Sequence, residues 1–272
     1  MFRRGRAAWT WRCGKRGSRY TSGMPLLQTD AVVLHVATYL ESSLILRLAT
    51  REAGVQSVVA RGARSSKKRF GSAIDLFAEG QAQIQTKPGR DLHALTAFDV
   101  TRARPAIATD LGRFTAASAM VESVLRLVHE EAAPSLYDRL VYGLDQLATA
   151  PPDDTAGVTL GAIWQLVAEV GFRPAIDRCA ECHTPLDPAA DVRFQGAVGG
   201  ALCGACTRLA PGGRLLPPAA RAAITMWLDG RSVPLEPVEA RAHQRLLREF
   251  LAVHLPDNRP LKAFQIWEQG KW

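Results

Sequence analysis

Residues 74–85, Ile-Asp-Leu-Phe-Ala-Glu-Gly-Gln-Ala-Gln-Ile-Gln, carry the clearest period of two in the chain. The positions between the apolar ones are mostly polar and include glutamines at 81, 83 and 85. Because successive side chains of a strand point to opposite faces, this alternation predicts a strand with one buried and one solvated face. The residues predicted to share the buried face are Ile74, Leu76, Ala78, Gly80, Ala82 and Ile84.

Four more short strands are predicted on either side of this one. They are separated by turn-forming residues such as the Lys87–Arg90 segment, Lys-Pro-Gly-Arg. Five short strands so close together leave sheet edges that have to be hidden, and a small closed barrel hides them. We therefore expect residues 24–104 to form a small antiparallel β-barrel. The predicted strands cover 31–36, 44–49, 55–59, 74–85 and 92–100.

From Pro105 onward the apolar residues recur at helical spacing, which predicts a helical domain over 105–272. The segment 158–170 is apolar nearly all round, as expected of a central buried helix. Residues 174–217 are rich in Pro, Gly and Cys, and the tail from Pro256 has no clear period. The chain is therefore predicted to be of the α+β class. Its predicted helices cover 107–128, 134–149, 158–170, 218–228 and 238–255.

Two Cys-x2-Cys pairs within the Pro/Gly-rich segment predict a metal site. Each pair can offer two thiolates to one ion, and two pairs complete the tetrahedral four-sulfur shell that Zn²⁺ prefers. A segment with few core residues also needs an external staple, which a metal supplies. We predict one structural Zn²⁺ per chain in a module at about 175–215, because a closed four-thiolate shell leaves no open position for catalysis. The predicted ligands are Cys179, Cys182, Cys203 and Cys206.

Three alternatives for these cysteines were weighed. Residues 179–183 read Cys-Ala-Glu-Cys-His, which matches the attachment pattern of c-type haem, but that reading leaves the second pair unexplained. A zinc deaminase needs His-x-Glu ahead of Pro-Cys-x-x-Cys, and neither pair is preceded by Pro. Reduced, metal-free thiols in a cytosolic protein stay open as the third alternative.

A basic segment between the third and fourth predicted strands is the candidate nucleic-acid contact. Five cations fall within nine residues that contain no acid, and glycines and serines keep the segment loop-like. Lys and Arg beside a small barrel suit a polyphosphate backbone, although charge runs often only solubilise a surface. A fallback site is the cationic face of Arg241, Arg245 and Arg248. The residues of the candidate contact are Arg61, Arg64, Lys67, Lys68 and Arg69.

Charge and composition exclude several classes of protein. Residues 1–23 hold six arginines and one lysine without an acid, so this arm supplies seven of the eight net positive charges. Two interpretations of the arm are open. It binds phosphates, or it is an over-extended start, in which case the protein begins at Met24. The apolar runs are expected to be too short for a membrane span, and five clustered cysteines do not make a secreted disulfide scaffold. We found no Walker, nucleophile-elbow, HExxH or kinase motif.

Several motifs of this chain resemble the RecO family of bacterial DNA repair proteins. The resemblance covers roughly residues 24–265 and includes the cysteine pairs. The basic arm departs from the family pattern, which favours the over-extended start. The motifs are Thr-Asp-Ala-Val-Val-Leu at 29–34, Glu-Ser-Ser-Leu-Ile at 41–45, Thr-Arg-Glu-Ala-Gly at 50–54, Ala-Arg-Gly-Ala-Arg at 60–64 and Glu-Val-Gly-Phe-Arg-Pro at 169–174.

This resemblance implies an N-terminal OB-fold and a C-terminal helical domain that carries a zinc module. It further implies a cytoplasmic, nucleoid-associated mediator of homologous recombination that is not an enzyme. Such a protein binds single- and double-stranded DNA and anneals complementary strands. It also implies that, with RecR, the protein helps to load RecA onto strands coated by single-stranded DNA-binding protein. No membrane or small-molecule substrate is expected.

Two other functions compete with this one. The barrel and zinc module would also suit an RNA-binding or transcription-associated protein, since OB-folds bind RNA as readily as DNA. A zinc hydrolase or redox enzyme would need a metal with an open position, which four cysteine ligands do not leave. A strand-annealing assay separates the first two functions.

Overall fold

The computed structural model describes residues 25–64, 70, 74–128, 132–255, 257 and 259–270. The predictions for residues 1–23, and for Lys67, Lys68 and Arg69, therefore lie outside the described residues. The described part of the chain comprises an N-terminal β-barrel followed by a helical domain that contains a small three-stranded sheet.

The five strands of the N-terminal domain close into a barrel, as predicted. The strand order is β1-β2-β3-β5-β4, and β4 pairs back onto β1. All pairs are antiparallel except β3 with β5, which run parallel. Closure leaves none of these five strands as a free sheet edge. The strands are β1 (Leu26–Tyr39), β2 (Ser43–Thr50), β3 (Gly54–Ala60), β4 (Glu79–Gln85) and β5 (Leu92–Arg102).

The strand predicted from Ile74 begins only at Glu79, so the first part of that prediction is wrong. The regular ladder between β1 and β4 ends at Val32 with Glu79, and beyond it, among the described residues, only Val33 of β1 exchanges backbone hydrogen bonds with Phe77 and Ala78. Phe77 instead adopts a left-handed conformation (φ 65°) and packs edge-on against Phe114 of the helical domain, with ring centroids 5.7 Å apart. A tertiary contact thus overrides the local alternation.

The apolar run of β1 is explained by burial on both faces. Ala31 and Val33 point into the barrel core, while Val32 and Leu34 belong to the core of the helical domain. Ala49 and Val55 of the neighbouring strands join the same helical core. One outer face of the barrel is therefore covered by helices, and a strand buried on both faces has no polar alternation.

The second half of the chain folds into helices, but several boundaries differ from prediction. The helix predicted at 158–170 begins at Thr155, and a short helix at Gly204–Leu209 was not predicted. Asp110 divides the first predicted helix in two, because its side chain accepts from the backbone N–H of Arg113 and caps the second part. The tail after Pro256 forms a helix that its sequence did not reveal, and three short strands interrupt the domain. The helices are α1 (Pro105–Thr109), α2 (Leu111–Leu127), α3 (Pro134–Thr149), α4 (Thr155–Val167), α5 (Gly204–Leu209), α6 (Pro218–Leu228), α7 (Pro237–His254) and α8 (Lys262–Gln269).

The helix α4 is the centre of the helical domain, as predicted. Leu160, Ile163 and Trp164 are fully buried. A π-helical turn at Ala168–Phe172 follows α4, and Gly171 within it leaves the helical conformation with φ 92°. Contrary to expectation, Pro152–Phe172 is long and apolar enough to cross a membrane by length and composition. Packing inside the domain accounts for that composition, since half of the apolar window is buried.

Arg104 joins the barrel to the helical domain through buried hydrogen bonds. Its side chain is 2% exposed, and Nη1 donates to the carbonyl of Phe77 over 2.7 Å. Nε donates to Asp145 of α3 over 2.7 Å, and Nη2 donates to Glu79 of β4 over 3.0 Å. Tyr137 of α3 also donates to Glu79. One guanidinium therefore bridges β4 and α3, and its donors find acceptors in both domains.

Candidate metal centre and nucleic-acid interface

The first cysteine pair lies in a tight knuckle. The backbone N–H of Cys179 donates to the carbonyl of Thr184, and the N–H of His183 donates back to the carbonyl of Cys179, both over 2.9 Å. His183 takes a left-handed conformation (φ 59°), which reverses the chain directly after Cys182. The knuckle therefore directs two thiols of a four-residue segment to one side.

The second pair is brought to the first by the small sheet. Strands β6 (Val192–Gln195), β7 (Gly200–Leu202) and β8 (Arg214–Leu216) pair in the order β7-β6-β8. The N–H of Ala180 donates to the carbonyl of Ala201 over 2.8 Å, which attaches the first knuckle to β7. Cys203 follows β7 directly, and Cys206 lies in the first turn of α5.

The four sulfur atoms have the spacing of a tetrahedral metal site. All four lie within 4.8 Å of one another, and Sγ of Cys182 is 3.7 Å from Sγ of Cys203. A Zn–S bond of about 2.3 Å makes the edge of a sulfur tetrahedron about 3.8 Å. The predicted ligands are thus brought together close enough to bind one metal ion. The inclusion of both pairs in one cluster also favours metal binding over haem attachment.

The thiols of this cluster differ in acidity. Burial raises the pKa of Cys179, but backbone N–H groups of Cys182, Cys203 and Glu181 outweigh it and lower that pKa to about 6. The hydroxyl of Thr184, 3.2 Å from Sγ of Cys182, lowers the pKa of that thiol as well. Hydrogen bonds with Cys182 and Cys203 raise the pKa of Cys206 to about 12. Cys179 therefore loses its proton readily, whereas Cys206 keeps its proton. A divalent cation bound to the four sulfur atoms would favour the deprotonated form of all four thiols.

Two of the five predicted basic residues lie in the described part of the chain. Arg61 and Arg64 are both exposed, directly after β3. Arg64 also holds the β1–β2 turn: its Nη1 donates to the carbonyl of Glu41 and its backbone N–H donates to the carbonyl of Ser42, each over 3.1 Å. Residues 61–64, the described part of the basic segment, and the first hairpin thus form one continuous rim of the barrel.

A second feature of this surface was not singled out from the sequence, although the alternation in β2 would have revealed it. Leu46 and Leu48 point into the barrel, so Ile45 and Arg47, which alternate with them along β2, point outward. Arg47 pairs with His35 of β1 and Ser57 of β3, which share its face. Its Nε is shielded from water and has no acceptor among the described residues. The outer face of β1–β3 therefore carries a positive charge at Arg47.

The fallback cationic face on α7 is partly neutralised. Arg245 and Arg248 both form ion pairs with Glu268 of α8, the helix that the sequence pattern did not reveal. Arg241 is exposed and has no ion pair among the described residues. The barrel rim is therefore the better candidate for contact with phosphates.

A closed five-stranded barrel joined to a helical domain with a four-cysteine module defines a two-domain protein with a candidate metal centre. Residues 24–104 match the family Recombination protein O N terminal, and residues 108–263 match Recombination protein O C terminal. The chain belongs to the RecO family of DNA repair proteins, and its barrel is the OB-fold of that family.

Curated relatives agree with this assignment. The chain is 37% identical to the DNA repair protein RecO of Anaeromyxobacter sp. (strain K), in an alignment that covers 85% of this chain and 92% of the relative. It is 32% identical to the DNA repair protein RecO of Gloeobacter violaceus over 84% of this chain and 87% of the relative. The corresponding protein of Nocardioides sp. is 30% identical over 90% of this chain and its own full length.

Proposed function

We propose that this protein is a recombination mediator that binds single- and double-stranded DNA and anneals complementary strands. With RecR it helps to load RecA onto strands coated by single-stranded DNA-binding protein. The observation that carries the proposal is the match to both RecO domains along the chain, since a single shared barrel would support only a nucleic-acid-binding module. The protein acts in the cytoplasm and makes or breaks no covalent bond.

The physical basis of annealing is charge neutralisation. Complementary strands repel each other through their phosphates, and cations that bind both strands let the bases meet. Base pairing then supplies the free energy, so no nucleotide hydrolysis is needed. The rim that contains Arg61 and Arg64, continued in sequence by Lys67, Lys68 and Arg69, is the proposed phosphate contact.

The metal in this proposal is a structural Zn²⁺. When bound, it would hold Cys179, Cys182, Cys203 and Cys206 together and so fix the small sheet. Phe194 of β6 packs against Trp164 and Phe250 of the helical core, with ring centroids 6.4 Å and 5.7 Å apart. The cysteine cluster therefore stabilises the position of a side chain in the centre of the domain.

Annealing of complementary oligonucleotides coated with single-stranded DNA-binding protein tests the proposal. The key variant carries Lys67→Ala, Lys68→Ala and Arg69→Ala. Each phosphate neutralised on a single strand contributes about −0.7 to the slope of log affinity against log salt, so three lost contacts flatten the slope by about 2. We expect weaker single-strand binding, a flatter salt dependence and slower annealing together, with an unchanged thermal transition.

A matched control removes the same charge from the helical domain. Arg173, Arg178 and Arg231 have side chains that are 57%, 57% and 62% exposed, and each lies near an aspartate. Replacing these three by alanine should leave binding and annealing nearly unchanged. Equal losses in both triple variants would show that only net charge matters and would refute the assignment to the barrel rim. Annealing of RNA but not DNA would favour an RNA-binding function instead.

A further inference from the structure

The turn between β1 and β2 exposes two large apolar side chains beside the basic rim. Tyr39 is 43% exposed and Leu40 is 74% exposed. Leu40 also has a left-handed backbone conformation (φ 55°), which is strained for a leucine. Neither side chain belongs to the barrel core or the helical core. Packing within the described residues therefore does not account for an exposed, strained leucine at this position.

The turn is held in place from the basic segment. Arg64 binds the carbonyls of both Glu41 and Ser42, the two residues that follow Leu40. Ser43, where β2 begins, is 6% exposed. The apolar tip is thus fixed next to cations that suit a phosphate backbone, and it is not a loop end without supporting contacts.

The tip is continuous with the outer face of the barrel. Ala37 pairs with Ile45, and Ile45 pairs with Val59 on the other side. Tyr39 is two residues beyond Ala37 on the same strand and therefore shares this face. Apolar side chains consequently run across the sheet from the tip, which is formed by Tyr39 and Leu40. Arg47 is the next residue of β2 after Ile45 that points to the same face. On such a surface, the apolar side chains can contact bases and the neighbouring cations can contact phosphates.

We propose that Tyr39 and Leu40 contact unpaired bases and strengthen the binding of the barrel to single-stranded relative to double-stranded DNA. Tyr39 stacks on one base and Leu40 packs against the face of the next, while the adjacent cations hold the phosphates. A duplex buries its base faces and offers the tip nothing to contact. This inference rests on the proposed function, and charge complementarity of the neighbouring rim is the reason to choose a nucleic acid as the occupant.

Substitutions at the tip test the proposal by equilibrium binding to a 2-aminopurine-labelled single strand and to the matching duplex. Loss of one stacking contact costs about 1–3 kcal/mol, so Tyr39→Ala should weaken single-strand binding by about 5- to 150-fold. Tyr39→Phe should restore most of that affinity because it keeps the ring. The salt slope of single-strand binding and the duplex affinity should not change, because the tip neutralises no phosphate.

Leu40→Gly provides an independent variant that keeps the fold. Glycine adopts a positive φ without strain, so the thermal transition of this variant should stay the same or rise. Its single-strand affinity should nevertheless fall, and the 2-aminopurine signal on binding should shrink. A stabilised variant with reduced affinity cannot be explained by unfolding.

The outcomes separate this inference from the proposed function. If the wild-type protein binds neither single strands nor duplex, both the proposed function and the role of the tip are refuted. Wild-type binding with the expected salt slope, but unchanged affinity for Tyr39→Ala and Leu40→Gly, would overturn only the role of the tip. Normal DNA binding by both variants together with lost binding of RecR, or lost self-association, would make the tip a protein contact and would also overturn the inference.

Discussion

Replacing Arg104 by methionine tests whether one buried guanidinium holds the barrel against the helices. The change keeps most of the side-chain length but removes three donors from Phe77, Glu79 and Asp145. Removing one partner of a buried ion pair costs about 3–5 kcal/mol, because the other charge stays buried without compensation. Glu79 and Asp145 are 17% and 27% exposed, and both keep Arg102 as a second cationic partner, so their charges stay partly compensated. We therefore expect a loss of about 3 kcal/mol, at the lower end of that range.

Urea unfolding measures this loss in each half of the molecule. Residues 24–104 contain no tryptophan, whereas Trp164, Trp227 and Trp267 are buried in the helical domain. In a chain that starts at Met24, and so lacks Trp9 and Trp11, tryptophan fluorescence therefore follows the helical domain, whereas circular dichroism follows both domains. With a slope of about 2–3 kcal/mol per M urea, the midpoint should fall by about 1 M. If the contact couples the domains, the fluorescence transition should shift even though Arg104 directly follows the barrel.

Arg102→Met is the matched control. Arg102 pairs with the same two acids, but its side chain is 53% exposed, and exposed pairs contribute about 0–1 kcal/mol. Its midpoint should fall by less than about 0.5 M, given the same slope. Equal shifts in the two variants would refute the argument that burial makes Arg104 special.

The remaining predictions concern the metal, the arm and one buried histidine. Purified protein should contain one zinc per chain. Cys203→Ser should lose it and destabilise the helical domain more than the barrel, whereas Cys13→Ser should keep it; zinc-free wild-type protein would contradict this. A chain that starts at Met24 should keep its thermal transition and DNA affinity, and loss of either would assign the arm a function. Burial lowers the pKa of His243 to about 4, so the unfolded chain alone gains this proton between pH 6.5 and pH 4. Stability should fall as the pH decreases through that window, and His243→Phe should lessen the fall in thermal melts.

The cysteine site shows how far local sequence can predict function. Each Cys-x2-Cys pair forms a knuckle from four consecutive residues, so its spacing reports the geometry directly. The sulfur distances show that the two pairs lie close enough together to bind one metal ion. The small sheet that joins them escaped prediction because β6, β7 and β8 have only three or four residues each. Such short segments show no period of their own.

The barrel rim shows what local sequence cannot predict. The basic residues were evident from charge alone, but the hydrogen bonds from Arg64 to the β1–β2 turn join residues more than twenty positions apart. The exposure of Tyr39 and Leu40 and the outward position of Arg47 depend on the register between strands. Register is a long-range property, and one residue of slip would reverse every one of these side chains.

The sequence by itself determined the succession of a five-stranded barrel and a helical second half, and it singled out the four cysteines that lie close enough to bind one metal ion. These follow from periods of 2 and 3.6 residues and from spacings within a few residues, which are local properties of the chain. Only the tertiary structure decided where β4 begins and that Arg104 is buried between domains. Each depends on a partner brought close by folding: the start of β4 depends on β1 and on the packing of Phe77 against Phe114 of the helical domain, and the burial of Arg104 depends on two acids from separate domains.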